Sequence, residues 1–106
     1  MEAACRGASE AGGVSIGILP GSDRSAANRF VEVAIPTGLG EARNALVVRS
    51  ADAVVAVGGG YGTLSEIAFA LKAGKPVIGL GSWEIEGVRG AESPEQAVSA
   101  ALGALT

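Results

Sequence analysis

The chain has 106 residues, enough for one small domain, and its hydrophobic content of 48% fits buried parallel strands. It contains no histidine, which excludes a zinc hydrolase or a Ser-His-Asp enzyme, and its single cysteine, Cys5, excludes an internal disulfide. The net charge of −3 with scattered basic residues argues against nucleic acid as a partner. No metal site is predicted, and no apolar run reaches membrane-spanning length, so we expect a cytoplasmic protein.

Helix and strand patterns alternate along the chain, and glycine or proline separates most neighbouring elements. Ser93-Pro94-Glu95-Gln96 is a typical helix start, with serine as N-cap, proline at the first helical position and glutamine at the third. We predict helices at 1–11, 41–50, 63–73 and from Ser93 onward, strands at 14–19, 31–35, 53–57 and 77–80, and an irregular segment from Trp83 to Arg89.

This alternation predicts an α/β fold with a parallel sheet and right-handed crossovers. We expect one Rossmann-like, doubly wound domain over residues 1–106, with helices and sheet in three layers. The first helix begins with neither a capping residue nor a preceding strand, although a doubly wound sheet normally opens with a strand. We therefore expect that the chain starts partway through its domain and lacks the first strand, helix and strand. The alternative is a naturally short domain whose first helix frays.

A glycine-rich segment, residues 58–63, joins a predicted buried strand to a helix. Glycines let the backbone approach a ligand, and the free N–H groups and positive dipole end of a helix favour an anion such as phosphate. The segment fails the dinucleotide pattern G-x-G-x-x-G because position 63 is threonine, and no P-loop Gly-Lys-Ser/Thr follows. We predict a site for a phosphorylated, nucleotide-like ligand formed by Gly58, Gly59, Gly60, Tyr61, Gly62 and Thr63, in which Tyr61 either stacks on a base or is simply exposed.

A second glycine turn, which carries Thr37, Gly38 and Gly40, also precedes a predicted helix. In a parallel sheet the loops after the strand C-termini converge on one edge, so both glycine turns are predicted to face one crevice. The loop that contains Trp83 reaches the same edge. Trp83 therefore either covers the crevice or lies at a subunit contact.

Two charged residues accompany the glycine turns. Arg43 lies in the first turn of its predicted helix, where the macrodipole disfavours a cation, and this favours pairing with a ligand anion. An ion pair with Glu41 or Asp52 is the alternative. Glu66 either completes a T-x-x-E capping box that starts at Thr63, or contacts a ribose or a developing positive charge on the ligand.

Arg43-Asn44, the glycine segment and Glu66 together resemble the Rossmann-like superfamily once called "possible lysine decarboxylase", which includes the LOG cytokinin-activating phosphoribohydrolases. The hallmark of that superfamily is an Arg-Lys pair followed by P-G-G-x-G-T-x-x-E. This chain has Asn44 in place of the lysine and Gly58 in place of the proline. With these departures, and with residues 37–44 reading T-G-L-G-E-A-R-N, it looks closer to the branch that contains the molybdenum-cofactor carrier protein.

The resemblance spans essentially the whole chain and implies two alternative functions. In the carrier branch, the crevice would hold a phosphorylated pterin, the molybdenum cofactor, with no bond broken, and Asn44 would belong to the binding residues. In the LOG enzymes the matching arginine and glutamate are the proposed catalytic pair. There, Arg43 would orient a ribose phosphate and Glu66 would assist N-glycosidic hydrolysis of a nucleoside 5′-monophosphate. We expect the carrier, with the phosphoribohydrolase as the alternative, and expect a homo-oligomer because relatives in the superfamily are homo-oligomers.

Overall fold

Every strand pairing in the molecule is parallel, as the alternation of helices and strands predicts. The structure is a computed structural model that describes residues 1–106. It divides into two compact units, residues 1–43 and 44–106, and each unit contains its own open parallel sheet.

The first unit contains helix α1 (Glu2–Glu10) and a two-stranded sheet formed by β1 (Ile16–Leu19) and β2 (Val33–Pro36). Ile16 lies opposite Val33 and Leu19 opposite Pro36. Each of the loops that follow the two strands carries one turn of 3₁₀ helix, Arg24–Ala26 and Gly40–Ala42. Both strands begin two residues later than the sequence predicts.

The second unit contains a three-stranded sheet in the order β3 (Val54–Val57), β4 (Val77–Leu80) and β5 (Val88–Ala91). Its helices are α2 (Arg43–Ser50), whose first residue belongs to the first unit, α3 (Tyr61–Lys72) and α4 (Pro94–Gly103).

Helices cover both faces of this three-stranded sheet. Val77 and Ile78 are consecutive on the central strand β4, so their side chains point to opposite faces, and each is only 2% exposed. Val77 packs in a cluster with Val48, Ala56, Ile67 and Ala70, from α2, β3 and α3. Ile78 packs with Ala97 and Ala100 of α4. The predicted α/β class, with parallel strands between flanking helices, is therefore confirmed.

The predicted irregular segment holds for residues 83–87, but its last two residues, Val88 and Arg89, begin strand β5, which the sequence did not predict. Its sequence, Val-Arg-Gly-Ala, has no alternation of apolar and polar residues, and glycine is disfavoured in isolated strands. The strand forms because its backbone pairs with β4, with Val77 opposite Val88 and Leu80 opposite Ala91. Such a non-local pairing leaves no signal in the local pattern. No helix of the molecule has both the length and the apolar character needed to cross a membrane.

Candidate functional site

The glycine segment forms a turn between β3 and the N-terminus of α3. Gly58 has a φ of +71°, a conformation that favours glycine, and its N–H donates to Leu80 O (3.2 Å) at the end of the neighbouring strand. The helix begins at Tyr61 with Gly60 as N-cap, and no side chain caps it. The first hydrogen bond of the helix joins Leu64 N to Gly60 O (3.1 Å), so the preceding N–H groups are outside the helical ladder. This is the geometry that binds anions.

Trp83, in the loop after β4, holds the glycine turn in place. Its Nε1 donates to Gly60 O (3.2 Å), and its ring stacks on that of Tyr61 with the centroids 6.1 Å apart. A side chain at Gly59 would place its Cβ 3.3 Å from the same Nε1, so the close approach of the indole requires glycine or a small displacement there. Trp83 therefore joins the loops that follow two adjacent strands. Tyr61 remains 84% exposed and is available for stacking.

Asn44 is hydrogen-bonded, through Ser65, to the first turn of α3. The residue is only 7% exposed, and its Nδ2 donates to Ser65 Oγ (3.2 Å), which in turn donates to Gly62 O (2.7 Å). The amide nitrogen of Asn44 thus already has a hydrogen-bond acceptor within the protein. Contact of Asn44 with a ligand stays a prediction, while its bracing of the α3 N-terminus is observed.

Thr63 and Glu66 lie within α3, as its third and sixth residues. The helix therefore starts too early for Thr63 to be its N-cap, and a capping box that starts at Thr63 is wrong. The two residues are three positions apart, so they share one side of the helix, and both are half-buried. Glu66 thus follows the glycine turn by little more than one helical turn.

In the first unit, the turn that carries Thr37, Gly38 and Gly40 is hydrogen-bonded to the end of β1 and the loop that follows it. Thr37 Oγ1 donates to Leu19 O (2.6 Å). The N–H groups of the two glycines donate to Gly21 O and Pro20 O (2.9 Å each). These N–H groups therefore donate to backbone carbonyls of the protein itself, and the positive φ angles of the two glycines allow the turn to form. A ligand contact by these three residues stays a prediction and would use other atoms.

Arg43 is held against the end of β1. Its Nη1 donates to Ile18 O (2.8 Å), and it does not pair with Glu41. Its Nε is buried and has no hydrogen-bond partner. A buried donor without an acceptor costs about 1–3 kcal/mol; the hydrogen bond that holds the guanidinium is the one from Nη1 to β1. Binding of a ligand anion by Arg43 stays a prediction.

The structure thus brings together the predicted residues of the second unit around one helix N-terminus. It adds Trp83, which the sequence predicted either to cover the crevice or to lie at a subunit contact, and which contacts the glycine turn. The predicted residues of the first unit, Arg43 among them, gather around the ends of β1 and β2.

Comparison with known proteins gives this site a family context. The model of the SLOG cluster4 family matches residues 1–103. An uncharacterized protein of Archaeoglobus fulgidus is 49% identical over 100 residues, which are 93% of this chain and 66% of that relative. The chain therefore spans somewhat less than two thirds of the length of this relative.

Two solved structures share the fold at substantial sequence identity. The molybdenum cofactor binding protein from the phototrophic bacterium Rippkaea orientalis is 41% identical, with a TM-score of 0.89, over 97% of this chain and 69% of its own. The molybdenum cofactor carrier protein from Chlamydomonas reinhardtii is 40% identical, with a TM-score of 0.83, over 96% of this chain and 68% of its own. The predicted resemblance to the LOG-like superfamily, and within it to the carrier branch, is confirmed.

Proposed function

Because this chain belongs to the SLOG cluster4 family, we propose that it binds a phosphorylated pterin or nucleotide-like molecule, with the molybdenum cofactor as the leading candidate. The observation that carries this proposal is its likeness to a molybdenum cofactor binding protein, at 41% identity and a TM-score of 0.89. The local geometry supports it, since the glycine turn and the uncapped start of α3 suit a phosphate group.

The residues present fit the phosphate of such a cofactor. The N–H groups of Tyr61, Gly62 and Thr63 precede the first hydrogen bond of α3, and the positive end of the helix dipole lies at the same place. A Cβ at Gly58 or Gly60 would meet no atom within 4 Å, so there is room for a ligand beside the turn. When bound, the cofactor would supply its own redox chemistry; this chain would bind and orient its phosphate.

Binding without turnover is favoured by the residue at position 44. Where the LOG hallmark has a lysine, this chain has Asn44, which is neutral, buried and hydrogen-bonded to Ser65. The cation that the hallmark would place beside the arginine is therefore missing. We infer a carrier or binding protein as the principal function.

A phosphoribohydrolase is the second candidate, because Arg43 and Glu66 are both retained. Under this alternative, the protein releases free adenine from AMP, and Glu66→Gln abolishes the release while AMP binding persists. Adenine formation no faster than in a protein-free control would exclude this alternative.

The phosphate site is tested by Gly60→Asp, with Gly60→Ala as its matched control. Gly60 has φ −83° and ψ 176°, which any residue adopts, and a Cβ there meets nothing. The aspartate carboxylate would cap the N–H groups of α3 itself and so compete with a phosphate for them.

We expect Gly60→Asp to fold with unchanged or slightly higher stability, and to bind GMP or inorganic phosphate at least about tenfold more weakly in calorimetric titration. Gly60→Ala should bind as the natural sequence does. Equal phosphate affinity in the aspartate variant would show that the start of α3 is not the phosphate site.

A further inference from the structure

A cavity of about 360 Å³ lies at the carboxyl ends of β4 and β5, beneath the loop that connects them. Its size is that of a small-ligand site. Gly79 and Gly90 lie opposite each other in the strand pairing; the Val88 side chain packs against Gly79, where a Cβ would lie 3.0 Å from Val88 Cγ1, whereas the space beside Gly90 is open. A Cβ added at Gly90 would meet no atom within 4 Å. The cavity is lined by Gly79, Gly81, Ser82, Trp83, Glu84, Ile85, Val88, Gly90 and Ala91.

Trp83 connects this cavity to the glycine turn. Its indole lines the cavity, and the same ring donates to Gly60 O and stacks on Tyr61. These two contacts fix the indole before any ligand arrives, which lowers the entropic cost of stacking a ligand ring on it. Trp83 is therefore common to the glycine turn that precedes α3 and to the cavity, so one side chain borders both.

Two polar side chains line the cavity among otherwise small or apolar groups. The Ser82 hydroxyl oxygen is buried and has no hydrogen-bond partner, which is costly for a hydroxyl group. Rotation about χ1 would allow it to bond to a ligand in the cavity. Glu84 supplies a carboxylate, which accepts hydrogen bonds and donates none when ionised. This combination suits a ring whose edge is rich in N–H donors.

We propose that this cavity binds the planar heterocycle of the ligand, and that Ser82 and Glu84 select the 2-amino-4-oxo edge that pterins and guanine share. This inference rests on the proposed phosphate site and extends it to the rest of the ligand. The adjacent N–H and NH₂ donors of that edge match one carboxylate, whereas adenine presents no such pair.

The test uses the variant Gly90→Val, with Gly103→Val as its matched control. Valine favours strands, and a Cβ at position 90 meets no atom within 4 Å, so its side chain would take up space in the cavity, whereas Gly103 ends α4 and lies outside the cavity. Trp83 is the single tryptophan of the chain, so its fluorescence reports on this cavity directly. The titrants are GMP, AMP and inorganic phosphate.

We expect GMP to change the Trp83 emission saturably and to bind about tenfold more tightly than AMP. Gly90→Val should weaken GMP binding by about tenfold or more and leave phosphate binding unchanged, while Gly103→Val changes neither. Glu84→Gln should reduce the preference for GMP over AMP.

Unchanged GMP affinity in a folded Gly90→Val, or equal affinities of the natural sequence for GMP and AMP, would overturn the inference. Neither result bears on the proposed phosphate site, which is tested separately: normal phosphate binding by Gly60→Asp would reject it.

Discussion

Lys75 shows how one side chain links two elements that are distant in sequence. It follows α3, yet its Nζ donates to Val48 O (2.7 Å), Arg49 O (3.0 Å) and Ala51 O (2.7 Å) at the end of α2. Carbonyls at a helix C-terminus lack intrahelical partners and carry the negative end of the dipole, so an ammonium group stabilises them.

We expect Lys75→Met, which keeps most of the aliphatic stem, to lower the free energy of unfolding by about 2 kcal/mol. Urea denaturation followed by circular dichroism measures the change. Lys72→Met removes a similar charge from an exposed position with no such bonds and should change stability by less than about 0.5 kcal/mol. Equal effects of the two substitutions would mean that the bonds of Lys75 contribute no net stability.

At the scale of the element, helix α4 behaves as its sequence predicts. Ser93 is the N-cap and accepts from Gln96 N (3.1 Å), while Gln96 Oε1 accepts from Glu92 N (2.6 Å) and Pro94 occupies the first helical position. The helix buries Ala97 and Ala100 against Ile78 of the sheet. Because these two residues are three positions apart, they lie on the same face of the helix that the Ser93 cap begins.

Replacing Ser93 by alanine should cost about 1 kcal/mol of stability, because the N–H of Gln96 loses its acceptor. Thermal unfolding of the variant measures this cost, and Ser93→Asp serves as a control because aspartate is also a good N-cap. A destabilised Ser93→Asp would show that the serine acts through something other than capping.

Local signals of this kind explain which features of the fold and site could be predicted from the sequence. The glycine segment and the Ser-Pro-Glu-Gln start of α4 carry their information within a few residues, and both are found where the sequence places them. Strand β5 exists because it pairs with β4, and Trp83 gains its role by folding over the turn after β3. Such contacts join residues that are distant along the chain and leave no local pattern.

The same reasoning explains why the hydrogen bonds of the second glycine turn could not be predicted from the sequence. The sequence predicts that the turn with Gly38 and Gly40 faces the ligand crevice, whereas the N–H groups of both glycines donate to carbonyls of the loop after β1. The glycines predict that a turn exists, but they do not predict which neighbouring loop supplies the hydrogen-bond acceptors.

At the scale of the whole molecule, each of the two units displays apolar surface. Ile16 is 60% exposed and Val33, its partner across the two-stranded sheet, is 44% exposed. On β3 of the other unit, Val57 is 67% exposed. The homo-oligomer stays a prediction, which the oligomeric state in solution would test.

The central claim is that the start of α3 binds the phosphate of a pterin-type or nucleotide ligand. Native mass spectrometry of the purified protein, before and after incubation with GMP, tests it most directly and also reads the oligomeric state. We expect the natural sequence to carry a phosphorylated pterin or nucleotide mass, or to take up GMP, and Gly60→Asp to do neither. A folded natural protein that stays bare in both measurements would contradict the account.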